Sequence, residues 1–174
     1  NGKAMLNSIT AEEGKFSRVV RLVRRYEVPV LALAMGDEGI TKTTEQRCGV
    51  AQRLIEKLRA EGVPAEQIYL DPLIQPVSVQ NDFGRVALET IRWVKKEYPE
   101  VKTTCGLSNV SFGLPRRVLL NRCFLVMAMA AGLDSAIVDV FDTDLVNVVA
   151  TANMLMNKQI YSDSFLKVYK SANK

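Results

Sequence analysis

Histidine is missing from all 174 residues. Its absence excludes Ser–His–Asp and Cys–His nucleophile machinery, imidazole general bases and His-containing metal sites built from this chain alone. Cysteine is scarce: Cys48, Cys105 and Cys123 are an odd number without C-x-x-C spacing. A disulfide framework or zinc site is therefore not expected, and all three read as reduced core thiols of a cytoplasmic protein. No basic-then-apolar leader opens the sequence. Its longest apolar run, Cys123 to Leu133, falls short of the roughly 20 residues a membrane span needs, so it reads as a buried helix. Neither G-x-G-x-x-G nor G-x-x-x-x-G-K-[ST] occurs, which removes the usual nucleotide signatures. The net charge of +4 is too small to argue for nucleic acid.

What is present is an ordinary globular composition, 48% hydrophobic and 24% charged. Arg18, Arg21, Arg24 and Arg25 lie at helical spacing beside Phe16, Val19, Val20 and Val23, the pattern of a solvated outer face. One theme repeats: a short apolar run, a polar or glycine-bearing loop, then an amphipathic helical stretch. The expected strands are Ala4–Leu6, Val28–Met35, Gln67–Leu70, Val101–Leu107 and Ser135–Val140. The expected helices are Lys15–Tyr26, Thr44–Glu61, Phe83–Tyr98, Leu119–Ala131, Asp144–Asn157 and a last short one around Ser164–Tyr169. Leu119–Ala131, apolar nearly all round, is expected to be buried on most sides. Five β–α units in succession imply a parallel sheet covered by helices.

Polar residues follow every expected strand: Asn7 and Ser8; Asp37; Asp71; Ser108, Asn109 and Ser111; Asp139 and Asp142. A (β/α)8 TIM barrel needs this, since its active site is assembled at the carboxyl ends of all strands, whereas an open sheet gathers its site at one switch point. Amides and carboxylates without histidine suit a flat, donor-rich heterocycle such as an aminopyrimidinone. Asp71 is well placed because Pro72 fixes the turn and removes a competing donor. An Asp or Asn after a strand can instead cap the next helix, the main expectation for Asp139 and Asp142.

The segments Leu-Asn-Ser (6–8), Tyr-Leu-Asp-Pro-Leu-Ile (69–74), Gly-Leu-Ser-Asn-Val-Ser (106–111) and Asn-Arg-Cys-Phe-Leu-Val-Met-Ala-Met-Ala-Ala-Gly-Leu-Asp (121–134) resemble the pterin-binding methyltransferases. The likeness is nearest to the methyltetrahydrofolate:corrinoid/iron–sulfur protein methyltransferases, with the pterin domain of cobalamin-dependent methionine synthase more distant. It implies transfer of a methyl group between methyltetrahydrofolate and the cobalamin cobalt of a corrinoid protein partner. By the same resemblance, Asn7 and Asp71 hydrogen-bond the pterin, Asn109 hydrogen-bonds N5, Gly106 and Ser108 line the same loop, and Arg117 contacts the folate side. Phe112 replaces a polar residue of the acetogen enzymes. No protein-bound metal is implied, and a homodimer is expected from the likeness.

Three other readings compete. Dihydropteroate synthase also binds a pterin in a barrel, but its lysine and Arg-x-His positions here read Ser-Asn-Val-Ser and Val-Asp-Val-Phe-Asp. A non-catalytic pterin- or corrinoid-protein-binding subunit is the second. A magnesium-dependent aldolase-type barrel would use Asp37, Asp71 and Asp139, while its Schiff-base version is removed by the lack of a lysine in a strand core. A complete barrel needs about 250 residues. By motif, residues 1–174 form one pterin-binding barrel domain corresponding to the fourth to eighth strands. The first three units, including a third-strand Asp-Ser-Thr segment, are expected on the parent chain or another chain, and this piece alone is not expected to be active.

Overall fold

The computed structural model describes residues 4–158. Strands and helices alternate as β1 Leu6–Ile9, α1 Glu13–Tyr26, β2 Val30–Leu33, α2 Thr44–Ala60, β3 Ile68–Asp71, α3 Phe83–Glu97, β4 Lys102–Thr103, α4 Arg117–Ala131 and α5 Thr143–Leu155. Short 3-10 turns occupy Ala65–Gln67 and Leu107–Ser111. All three strand pairings are parallel, and the order across the sheet is β1-β2-β3-β4. Strands laid down in sequence order with no reversal form the arc of a (β/α) barrel, since a doubly wound sheet would reverse direction at a switch point. Right-handed crossovers in that order place the helices on one face. The fold is α/β, and the helical expectation of Ser164–Tyr169 lies outside the described residues.

The core sits between helices and sheet. Val30 and Ala32 of β2 and Ile68 and Leu70 of β3 pack against Phe16, Val20 and Val23 of α1 and Ala51, Leu54, Ile55 and Leu58 of α2. Burying one such leucine or isoleucine contributes about 2 kcal/mol. The four arginines of α1 lie exposed on its far side. A second cluster joins α3, α4 and α5 to Cys105 and Leu107. Side chains alternate along a strand, so Leu31, Leu33, Tyr69 and Asp71 project to the opposite, inner face. Asn7 and Lys102 join them by register, Asn7 opposite Leu31 and Lys102 opposite Tyr69.

Several expectations need correction. β1 begins at Leu6, so Asn7 lies within the strand, where an exposed inner-face position tolerates an amide; Asn7–Ser8 is a cis peptide, and the register shifts there. β4 spans two residues because the chain turns at once into Leu107–Ser111. The expected strand Ser135–Val140 reduces to one parallel bridge, Gly106 with Ile137, since pairing rather than apolar content defines a strand. Contrary to the expectation that no strand core holds a lysine, Lys102 opens β4, half-buried, its ammonium 5.2 Å from the Tyr69 ring centroid. Cys48 and Cys105 are buried but Cys123 is exposed. It belongs to a stripe on α4 with Leu119, Val126 and Met127, which faces outward although α4 is apolar nearly all round. No helix of the described residues is long and apolar enough to cross a membrane.

The far end of the strands, away from the polar loops, is braced by Asp134. Its Oδ2 accepts from the Thr103 amide at 2.8 Å and from Lys95 Nζ at 3.1 Å. Lys95 also donates to the carbonyls of Pro99 and Val101. Gly132 ends α4 with φ 110°, and a Cβ there would stand 2.7 Å from Lys95 Cγ. Gly132→Ala is therefore expected to destabilise the intact protein by about 2 kcal/mol, through strain at positive φ and displacement of Lys95. The measurement is urea unfolding; an unchanged midpoint would contradict this packing.

Candidate functional site

Asp71 closes β3 and is 8% exposed, so its carboxylate is largely stripped of water. Burial is the leading cause of a carboxyl pKa raised from 3.8 to about 6. The amides of Leu73 and Gly106 and the charge of Arg47 pull the other way. Leu73 N donates to Asp71 Oδ1 at 2.8 Å, a turn made possible by the left-handed conformation of Leu73, φ 57°.

Gly106 reaches Asp71 because β4 runs parallel to β3, with Thr104 N donating to Leu70 O at 2.9 Å. The chain then winds into the Leu107–Ser111 turn, anchored by Leu107 and Val110 in the second core cluster. That turn folds the Asn109 amide back over Gly106: its Nδ2 lies 3.6 Å from where a Gly106 Cβ would stand. Asn109 itself is exposed. Asp71, Gly106 and Asn109 thus converge at one end of the strands, offering an acceptor, a bare backbone and an amide.

The remaining candidates are distributed around this group. Ser108 contributes its carbonyl, which accepts from Arg117 Nη2 at 2.9 Å. Arg117 Nε donates to Ser111 Oγ at 3.1 Å, and the guanidinium lies 5.7 Å from the Phe112 ring centroid. Ser111 in turn donates to Asn121 at 2.7 Å. Arg117 therefore ties the Ser108–Phe112 loop to the first turn of α4. Asn7 shares the inner face, two strands from Asp71 and in register with Tyr69 rather than with Asp71. Asp142 caps α5, accepting from Leu145 N at 3.0 Å and from Arg122 at 2.6 Å, while Asp139 accepts from Phe141 N at 2.9 Å. Asp37 is exposed in the turn after β2. Among the described residues, no three Asp, Glu or Cys side chains gather as metal ligands would, so Asp37, Asp71 and Asp139 do not converge.

Sequence reasoning missed two features of this end of the molecule. The first is Arg47, fully buried in α2 and donating to Pro72 O at 2.9 Å and Leu73 O at 2.7 Å. Its signal was available: Arg47 stands on the same helical stripe as Val50, Ala51, Leu54 and Leu58, where a charge needs a partner. The second is lacing between loops. Val77 N donates to Val110 O at 3.1 Å and Ser78 Oγ to Phe112 O at 2.7 Å, joining the loop after β3 to the loop after β4.

Residues 1–139 match the family described as pterin binding enzyme. The chain is similar to methionine synthase of Mycobacterium tuberculosis, with 36% identity over 149 residues, which is 79% of this chain and 12% of that protein. The methionine synthase of Mycobacterium leprae gives the same identity and coverage. The methylcorrinoid:tetrahydrofolate methyltransferase of Eubacterium limosum is 28% identical over 167 residues, covering 92% of this chain and 62% of that enzyme. The chain therefore spans less than two thirds of the length of each of these relatives.

Asp71 leaves a thermodynamic mark. Folded, its carboxyl holds a proton up to about pH 6; unfolded, it releases it near 3.8. Its contribution to stability is complete below pH 3.8 and is lost as pH rises through about 6. The shift corresponds to about 3 kcal/mol. Urea unfolding from pH 4 to 7 is expected to show this decline in the intact wild type and not in Asp71→Asn. Parallel pH curves for the two proteins would refute the burial argument.

Proposed function

Because the chain belongs to the pterin-binding enzymes, we propose that it forms the pterin-holding part of a methyltransferase, which moves a methyl group between N5 of methyltetrahydrofolate and the cobalt of a corrinoid protein. The observation carrying this reading is the convergence of Asp71, Gly106 and Asn109 at one end of the parallel strands. The names of the relatives from Eubacterium limosum and Mycobacterium tuberculosis support the reaction class.

The residues suit the ligand. Asp71 accepts from the amino and ring N–H groups of an aminopyrimidinone, and its low exposure strengthens each such bond. Asn7 adds an amide on the same inner face. Gly106, lacking Cβ, lets the ring approach the backbone, and Ser108 borders it. Arg117 holds Ser108 and Ser111 in place and turns its exposed side toward the rest of the folate.

Displacement at a methylated tertiary amine has a poor leaving group. N5 becomes a better one as it gains a hydrogen bond and then a proton. Asn109 supplies the bond; an amide has no proton to give up at neutral pH, so the proton comes from solvent, to which Asn109 is exposed. A corrinoid carried by a partner protein supplies the cobalt that accepts or returns the methyl group. This chain thus needs neither histidine nor a nucleophile of its own; it orients the pterin and stabilises charge at N5.

The unpaired cysteines suit a cytoplasmic setting. A homodimer is supported by the outward apolar stripe of α4, in which Met127 is 53% exposed. If that stripe is the contact, Met127→Glu shifts the intact protein toward monomer in sedimentation velocity; an unaltered distribution excludes this face.

The chemistry is tested in the intact protein with methyltetrahydrofolate and free cob(I)alamin, followed spectrophotometrically. Asn109→Ala is expected to lower kcat roughly 100- to 1,000-fold, with the Kd for methyltetrahydrofolate changed less than about threefold, as for an interaction made chiefly in the transition state. A wild-type rate would remove Asn109 from the mechanism.

A further inference from the structure

A wholly buried arginine is rare, and Arg47 is 0% exposed. Its Nε donates to Thr41 Oγ1 at 3.0 Å, Nη1 to Pro72 O at 2.9 Å and Leu73 O at 2.7 Å, and Nη2 to Thr41 O. These acceptors are all neutral. They take up four of the five N–H groups but leave the charge without a counterion in direct contact. The carboxylate acting on it is Asp71, one residue before Pro72. The two charges thus act on each other without direct contact, across a turn whose carbonyls Arg47 holds.

The geometry of the turn follows from this. With Leu73 left-handed, the Pro72 and Leu73 carbonyls both meet the same guanidinium nitrogen, while the Leu73 amide turns to Asp71 Oδ1. That amide fixes the plane of the carboxylate. The groups facing Asp71 are few. Arg47 comes from α2 with Cys48 beside it, a thiol pushed up by burial. Cys105 follows β4, its thiol pushed up to about 12. Tyr69 and Lys102 share the inner face in the neighbouring register. Of these, Arg47 is the charge that acts on the Asp71 carboxyl.

We propose that Arg47 is the positioning residue of the pterin site: from inside α2 it fixes the Asp71–Pro72–Leu73 turn, and with it the orientation of the carboxylate presented to the ligand. The proposal rests on the reading of Asp71 as a pterin contact. Arginine is required rather than lysine, because a planar fork spans the loop after β2 and the loop after β3 at once, whereas an ammonium is a point charge.

The test uses the intact protein and methyltetrahydrofolate, with Kd measured from pH 5 to 8 and kcat and KM measured with cob(I)alamin. In Arg47→Met, Kd and KM are expected to rise about 10- to 100-fold with kcat nearly preserved, as for a displaced binding group. The pH at which acid abolishes pterin binding moves upward, because the Asp71 carboxylate has lost its cation. A merely structural arginine would lower the unfolding midpoint and leave that pH in place. Arg47→Lys is expected to restore the pH while keeping part of the affinity loss. Thr41→Val, which deletes an acceptor and keeps the charge, raises Kd a few-fold at unaltered pH dependence. Wild-type Kd and pH dependence in folded Arg47→Met overturn the proposal. If that variant does not fold, unchanged Kd in both Arg47→Lys and Thr41→Val overturns it. Asp71→Asn separates the two levels: tight binding there defeats the pterin reading itself, whereas its loss beside unaffected Arg47 variants defeats only the role of Arg47.

Discussion

A buried positive charge that finds only neutral hydrogen-bond acceptors organises the polar end of this molecule. Arg47 gives up its water to sit among Thr41, Pro72 and Leu73, and the Asp71 carboxylate is the opposite charge that acts on it. Neither group would be tolerated alone at such depth, since an isolated ion in a low-dielectric interior loses several kcal/mol of hydration. Together they turn the end of β3 into a fixed feature. From that point the lacing continues: Val77 and Ser78 carry it to the loop after β4, and Ser108, Ser111 and Arg117 carry it on to α4. Three successive loops at the carboxyl ends of the strands are joined by side-chain and backbone bonds rather than left as independent flaps.

The two ends of the strands have divided the work, as barrels do. At the starting end, Asp134, Lys95 and Gly132 make contacts whose effect is stability. At the finishing end, the exposed amide of Asn109 and the largely desolvated carboxylate of Asp71 are held close together with the bare backbone of Gly106. Perturbed ionisation at Asp71 and exposure at Asn109 are properties a purely structural pair would not need.

Much of this was legible in the sequence because it depends on local pattern. The stripes Val50–Leu58 and Phe83–Val94 announced their helices, and the regular recurrence of apolar runs announced a parallel sheet. Asp71 before Pro72 and the Gly-Leu-Ser-Asn turn stood out as polar strand ends, and the fold brings them to one place. What escaped depends on partners distant along the chain. Ile137 reads as a strand residue, yet only a neighbour can make it one, and it forms a single bridge. Asn7 reads as a loop residue, yet pairing with β2 draws it into β1. Cys123 and Met127 read as core, since composition shows that a helix is apolar and not which way it faces. Arg47 broke its own stripe, and a sequence cannot show that the carbonyls it answers lie 25 residues farther on.

The Arg47–Asp71 pairing also bears on how such a chain can drift. A lineage that loses the carboxylate inherits an uncompensated cation in its interior, and one that loses the arginine inherits orphaned carbonyls and a loosened turn. Either single step changes the charge or the geometry of the turn after β3, so the two positions are expected to change together, a relative that has abandoned one having replaced the other. Position 47 would then carry a record of what position 71 has been used for, although its side chain is wholly buried among Thr41, Pro72 and Leu73.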